Sequence, residues 1–187
     1  MKYKNTLQAN ITAVGKYVPK KVITNHDLEK KIDTNHEWIV SRTGIKERRQ
    51  VSENETTVSM AVNAINDIMN SKNINPKSID AIIVATITPD MFFPSCACLI
   101  QKEIGATNAW GFDLSAACSG FVFGLETASN MIQSNKYKKI IVVGVDTMSS
   151  IINYKDRNTA VLFGDGAGAV LVEPTKKNGI IDSKMKV

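Results

Sequence analysis

The sequence predicts an α/β fold, a mixed five-stranded sheet covered by helices. Three observations carry this expectation. Asp80–Thr88 and Lys138–Val145 are nearly unbroken apolar runs, β-branched and of strand length, as strands buried on both faces require. Between and around them lie segments whose apolar residues recur at helical spacing. The resulting order, strand–helix–strand–helix–strand, implies a mostly parallel sheet.

Each element has its own signal. Gln8–Val14 reads as the first strand, stopped by Gly15 and Pro19. Asn25 suits the N-cap of a short helix through Lys30, and Thr34 that of a second, which carries Glu37 and Trp38 and ends at Gly44. Val58, Ala61, Val62, Ile65, Ile68 and Met69 define a helix that starts near Thr56 and stops before Asn73–Pro76. After the Asp80–Thr88 strand, Pro94 and Ser95 open a helix that runs through Glu103 and stops at Gly105. Ala109–Leu114 is a short strand, and small residues lead from it into a helix from about Cys118 to Ser134, expected to be central and largely buried. After the Lys138–Val145 strand, Ala160–Phe163 and Ala167–Val172 flank a glycine-rich turn and read as a hairpin, an antiparallel edge.

Length and composition bound the function. A chain of 187 residues with 43% hydrophobic content builds one domain with a real core. The net charge of +5 suits an acidic or phosphorylated ligand, but it is too weak and dispersed to argue for nucleic acid. The longest clean apolar runs, such as Ala81–Ala85, fall far short of a membrane span. Polar residues interrupt the N-terminal stretch, which predicts no signal peptide. Three cysteines do not make a disulfide framework, so a reducing, cytoplasmic location is expected.

The sharpest chemical feature is Asp113–Gly120, where a strand runs into a helix through residues of little bulk. Cys118 sits at that turn, where free backbone N–H groups and the helix dipole favour a thiolate. It reads either as a nucleophile on a strand-to-helix turn or as a small buried core cysteine. Gly120 and Gly124 let the following helix pack closely. Cys96 and Cys98 are two apart in a helix, do not share a face and have no nearby histidine, so core packing is expected and no metal site. Gly164–Gly168 lacks the order of a phosphate loop and reads as a tight turn where backbone approaches another segment. Trp38 and Arg42, four apart on one helical face, either sandwich a planar base and hold a phosphate or are a half-buried indole beside a surface cation. Arg42, Lys46, Arg48 and Arg49 read as a solvated basic face, and His26 and His36 as surface histidines.

Together, Asp33–Ile45, Phe93–Ser95, Asp113–Gly120, Asp156–Thr159 and Phe163–Ala169 resemble, in order and spacing, the β-ketoacyl-acyl-carrier-protein synthase III family. These are initiating condensing enzymes of bacterial fatty acid synthesis with the thiolase fold. The resemblance implies that Cys118 accepts a short acyl group from acyl-coenzyme A. Malonyl on acyl carrier protein then decarboxylates, and its carbanion attacks that acyl group. It implies that Trp38, Arg42 and Arg157, with Thr34 alongside, hold coenzyme A, and that Phe93 crosses a dimer interface to line a neighbour's acyl pocket. Acyl-coenzyme A is substrate, and no permanently bound cofactor or metal is implied. Asn158 departs from the small residues more usual at its position.

The resemblance covers only the first half of that fold. Residues 1–175 correspond to its cysteine-bearing N-terminal domain and 176–187 to the start of the second half. The family's oxyanion-stabilising His and Asn lie in that second half, and no residue here matches them. Either this chain is a piece of the enzyme, or a complementing second chain supplies the rest; a homo-oligomer is also expected. The rival readings are a related thiolase-fold acyltransferase and a non-catalytic acyl-binding half.

Overall fold

The computed structural model describes residues 7–177 and 179–185. The chain runs β1 (Gln8–Tyr17), β2 (Lys21–Thr24), α1 (Asn25–Glu29), α2 (His36–Thr43), β3 (Glu47–Gln50), α3 (Thr57–Lys72), β4 (Ala81–Ala85), α4 (Cys96–Glu103), β5 (Trp110–Leu114), α5 (Gly120–Gln133), β6 (Ile140–Thr147), α6 (Arg157–Ala160) and β7 (Asp165–Thr175). Five strands form one mixed sheet in the order β1-β7-β6-β4-β5. β4 is parallel to both β5 and β6, whereas β7 is antiparallel to β6 and β1. The five-stranded expectation holds.

Side-chain alternation sorts the sheet's residues into two cores. Ile82, Val84, Ile141 and Val143 face α3 and α4, while Ala81, Ile83, Ile140 and Val142 face α5. β4 is buried at every position, so its sequence shows no polar alternation. A third, small cluster of Leu28, Ile39 and Val161, with Trp38 packed against it, joins α1, α2 and the chain after α6.

The structure corrects several expectations. The proposed hairpin does not exist: α6 and a short turn precede one long strand, β7, which lies inside the sheet rather than at its edge. Asp165 is the first residue of β7, and it holds that end by accepting from Ser149 and Val51. Gly15 does not stop β1 but lies within it, because a side chain there would meet the Ala64 carbonyl oxygen at 2.2 Å. The caps lie one residue from their expected places. Thr24 forms a capping box with Asp27, which frees Asn25 for the interior, and Asn35 rather than Thr34 caps α2 by accepting from Trp38 N–H. The small sheet of β2 and β3 gave no recognised signal, because each strand has only four residues. α5 is buried on one face only, at Gly120, Gly124, Ala128, Ser129 and Ile132, and Val122 is half exposed. Among the described residues no helix is long and apolar enough to cross a membrane.

Candidate active site

β4, β5 and β6 run in the same direction and finish on the same side of the sheet. Crevices open at the carboxyl ends of parallel strands, where successive crossovers diverge. Cys118 lies in that crevice. From β5 the chain passes through Ser115 and Ala116 and a single 3-10 turn, Ala117–Ser119, into α5. Ala117 holds φ at +45°, a left-handed conformation that costs an L-residue roughly 1–2 kcal/mol. This bend leaves the Cys118 side chain exposed in a cavity of about 290 Å³, lined also by Ala85, Phe121, Gly144, Asp146 and Gly164.

Small residues make that geometry possible. A side chain at Gly120 would meet Ala85 at 3.2 Å, and one at Gly124 would meet Val142 at 3.1 Å, so α5 rests directly on β4 and β6. Gly164 lies against β3, where an added side chain would stand 2.9 Å from the Arg48 Cβ. The expected close approach at the glycine-rich segment is therefore real, at the start of a strand rather than in a hairpin.

Carboxylates around the crevice serve as struts. Asp113 accepts from Cys96 N–H at 2.7 Å and Ala97 N–H at 2.9 Å, which fixes the start of α4. Asp146 Oδ1 accepts from Thr86 Oγ1, Ile87 N–H and Thr88 Oγ1, and so anchors the loop after β4. The role of Asp146 escaped sequence reading, because its partners lie about 60 residues upstream. Neither histidine lines the cavity; His26 and His36 stack on each other with ring centroids 5.0 Å apart.

The three cysteines differ sharply. Burial pushes the Cys96 thiol up to about 11, which keeps it protonated at neutral pH. Cys98 is exposed and its sulfur accepts from Ser95 Oγ. Only Cys118 lines the cavity.

A second site forms where α2 meets α6. The Arg42 guanidinium lies 5.4 Å and that of Arg157 4.7 Å from the Trp38 ring centroid. Residues far apart in sequence thus flank one indole with two cations, a combination able to hold a planar base and phosphates. Arg157 donates to the Asp33 carbonyl at 3.2 Å. Lys31, Lys155 and Arg157 line an adjoining cavity of about 380 Å³. The Thr34 hydroxyl oxygen nearby is buried and has no hydrogen-bond partner. Asn158 is exposed on α6.

Two residues stand apart from these sites. Phe93 is 87% exposed and does not line the Cys118 cavity. Arg48 does not belong to a solvated face: it is 9% exposed, with its guanidinium inside the molecule. Strand alternation over four residues is too short a signal to have shown this.

Residues 112–187 match the family model described as 3-Oxoacyl-[acyl-carrier-protein (ACP)] synthase III. The chain is 50% identical over 182 residues to a β-ketoacyl-acyl-carrier-protein synthase III of Chlorobium phaeobacteroides, a match that covers 96% of this chain and 55% of that protein. Among solved structures it resembles the 3-oxoacyl-acyl-carrier-protein synthase III of Aquifex aeolicus, with a TM-score of 0.88 and 47% identity over 90% of this chain and 55% of that one. It also resembles the corresponding synthase of Thermus thermophilus, with a TM-score of 0.82 and 44% identity over 88% of this chain and 51% of that one. The chain spans about half the length of the relatives it matches.

Proposed function

Because the chain belongs to the β-ketoacyl-acyl-carrier-protein synthase III family and has its thiolase-like fold, we propose that it carries the acyl-accepting part of an initiating condensing enzyme of fatty acid synthesis. The observation that supports this most is Cys118, presented by a strained turn into a cavity at the carboxyl ends of three parallel strands. Its thiolate attacks the thioester carbonyl of a short acyl-coenzyme A. The new S–C bond forms as the carbonyl becomes an oxyanion. That oxyanion collapses, the bond to the coenzyme A sulfur breaks, and the departing thiolate takes up the proton the cysteine lost. Trp38 stacks on the adenine and Arg42 and Arg157 neutralise phosphates, with Thr34 alongside.

Condensation with malonyl-acyl carrier protein asks more. Donors must face the enolate that forms on decarboxylation, and each missing oxyanion donor costs about 10²–10³ in rate. Neither histidine stands at the Cys118 cavity, so this chain by itself acylates slowly at best and does not condense at a useful rate. We place the cysteine-bearing unit at residues 1–175, since β7 ends at Thr175, with 176–187 leading into the second half. A second copy packs along β5 and receives Phe93 in its acyl pocket, and the reaction takes place in the cytoplasm.

Intact-protein mass spectrometry after incubation with acetyl-coenzyme A tests the reading. An acetyl adduct is expected in the wild type and in Cys96→Ala and Cys98→Ala, and none in Cys118→Ala. An adduct that survives Cys118→Ala would place the nucleophile elsewhere.

A further inference from the structure

Arg48 is an inward-pointing cation for which none of the roles described so far accounts. Its guanidinium has no carboxylate partner among the described residues, and every bond it makes is to a neutral oxygen. Nη1 donates to the Ile23 carbonyl at 3.2 Å and to Asn25 Oδ1 at 3.0 Å, and Nη2 donates to Asn25 Oδ1 and to the Val161 carbonyl, both at 3.0 Å. Nε is buried without a partner. A charge held this way is costly, and a polar group left unpaired in the interior adds to the cost.

The partners explain what that cost secures. Val161 is the C-cap of α6, the helix that carries Arg157. Asn25 passes the constraint to α2: its Nδ2 donates to the Ile45 carbonyl at 2.8 Å, and its backbone N–H donates to the Lys46 carbonyl at 3.2 Å, just past the end of the helix that bears Trp38 and Arg42. One planar fork therefore holds the two segments that converge on Trp38, although they lie more than a hundred residues apart in sequence. Gly164 lets the chain after Val161 lie against the Arg48 stem.

We infer that Arg48 is a positioning residue: by joining Asn25 and Val161 it sets the Arg157–Trp38–Arg42 clamp and thereby the affinity for acyl-coenzyme A. This rests on the functional reading above for the ligand, but not for the geometry.

Two measurements on Arg48→Met and Arg48→Lys test it. Lysine keeps the charge and much of the stem, but its single ammonium cannot reproduce the planar fork. The first measurement is the initial rate of Cys118 acetylation against acetyl-coenzyme A concentration. The half-saturating concentration should rise about fivefold, with the maximal rate within about twofold of wild type. The second is acrylamide quenching of Trp38 fluorescence in a Trp110→Phe background without ligand, which should increase as the clamp opens. A variant that is merely destabilised would lose maximal rate with half-saturation unmoved, and that result would overturn the assignment. So would unchanged half-saturation and quenching in folded Arg48→Lys, which also decides the matter if Arg48→Met fails to fold. Should acetyl-coenzyme A fail to saturate the wild type, the functional reading falls and quenching alone decides the role of Arg48: increased quenching supports it, and unchanged quenching overturns it.

Discussion

Cys118 and Cys96 show how placement alone separates two chemically identical side chains. Cys96 is buried at the start of α4, and desolvation raises its pKa to about 11; Cys118 stands exposed on the turn before α5. Only the thiolate is nucleophilic, so the two should react differently. Iodoacetamide at pH 8 should alkylate Cys118 and the exposed Cys98 while the protein is folded, and Cys96 only after denaturation; modification of Cys96 in the native state would contradict its burial. The Trp38 clamp makes a second prediction at this scale. Trp38→Ala and Arg157→Ala should each weaken coenzyme A binding by roughly 1–2 kcal/mol, because each removes a stacking or charge contact that is partly desolvated. Calorimetry that found both variants unchanged would move the nucleotide site elsewhere.

Elements in this fold meet through small residues and carboxylate caps. β1 approaches α3 so closely at Gly15 that a methyl group would overlap the Ala64 carbonyl, a backbone atom that cannot swing aside. Gly15→Ala should therefore destabilise the protein by about 1–3 kcal/mol, read as a lower midpoint in urea, although alanine is the better residue in an unconstrained strand. The lobe that carries the clamp depends on ionised carboxylates. The hydrogen bond from Thr24 lowers the pKa of Asp27, that from His26 lowers the pKa of Glu29, and that from Thr159 lowers the pKa of Asp156. Depressed folded values mean that the stabilisation is fully present above the ordinary carboxyl range and is lost as pH falls through the lowered values. Thermal midpoints should accordingly drop below about pH 4, and Asp156→Asn and Asp27→Asn should each flatten that drop. An undiminished slope in both variants would assign the acid sensitivity to other groups.

The whole molecule leaves apolar surface open at one sheet edge. Among the described residues β5 pairs only with β4, and Trp110 at its start is 47% exposed; in the loop after β4, Met91 is 47% exposed, Phe93 87% and Phe92 fully so. An unpaired strand edge flanked by exposed aromatics favours association. Light scattering at micromolar concentration should find the chain larger than a monomer, and Trp110→Lys or Phe92→Ser should shift it toward one. A sharp monomer peak for the wild type would show that this edge tolerates water.

The sequence by itself determined the α/β class, the buried parallel strands and the nucleophile candidate. Buried strands such as Ala81–Ala85 need contiguous β-branched residues, helices such as Thr57–Lys72 need apolar spacing, and the Cys118 turn needs small neighbours; all of these are local patterns. Wherever the information is relational, only the tertiary structure decided. Strand β7 lies inside the sheet because β1 returns to pair along its outer side. Gly15 remains in its strand because a helix fifty residues on presses against it. Arg157 meets Trp38 across 119 residues, and Arg48, one cation in a basic run, turns inward because its partners arrive from β2, α1 and the end of α6. A hydrogen bond or a close approach belongs to two segments at once, so neither segment's own pattern can record it.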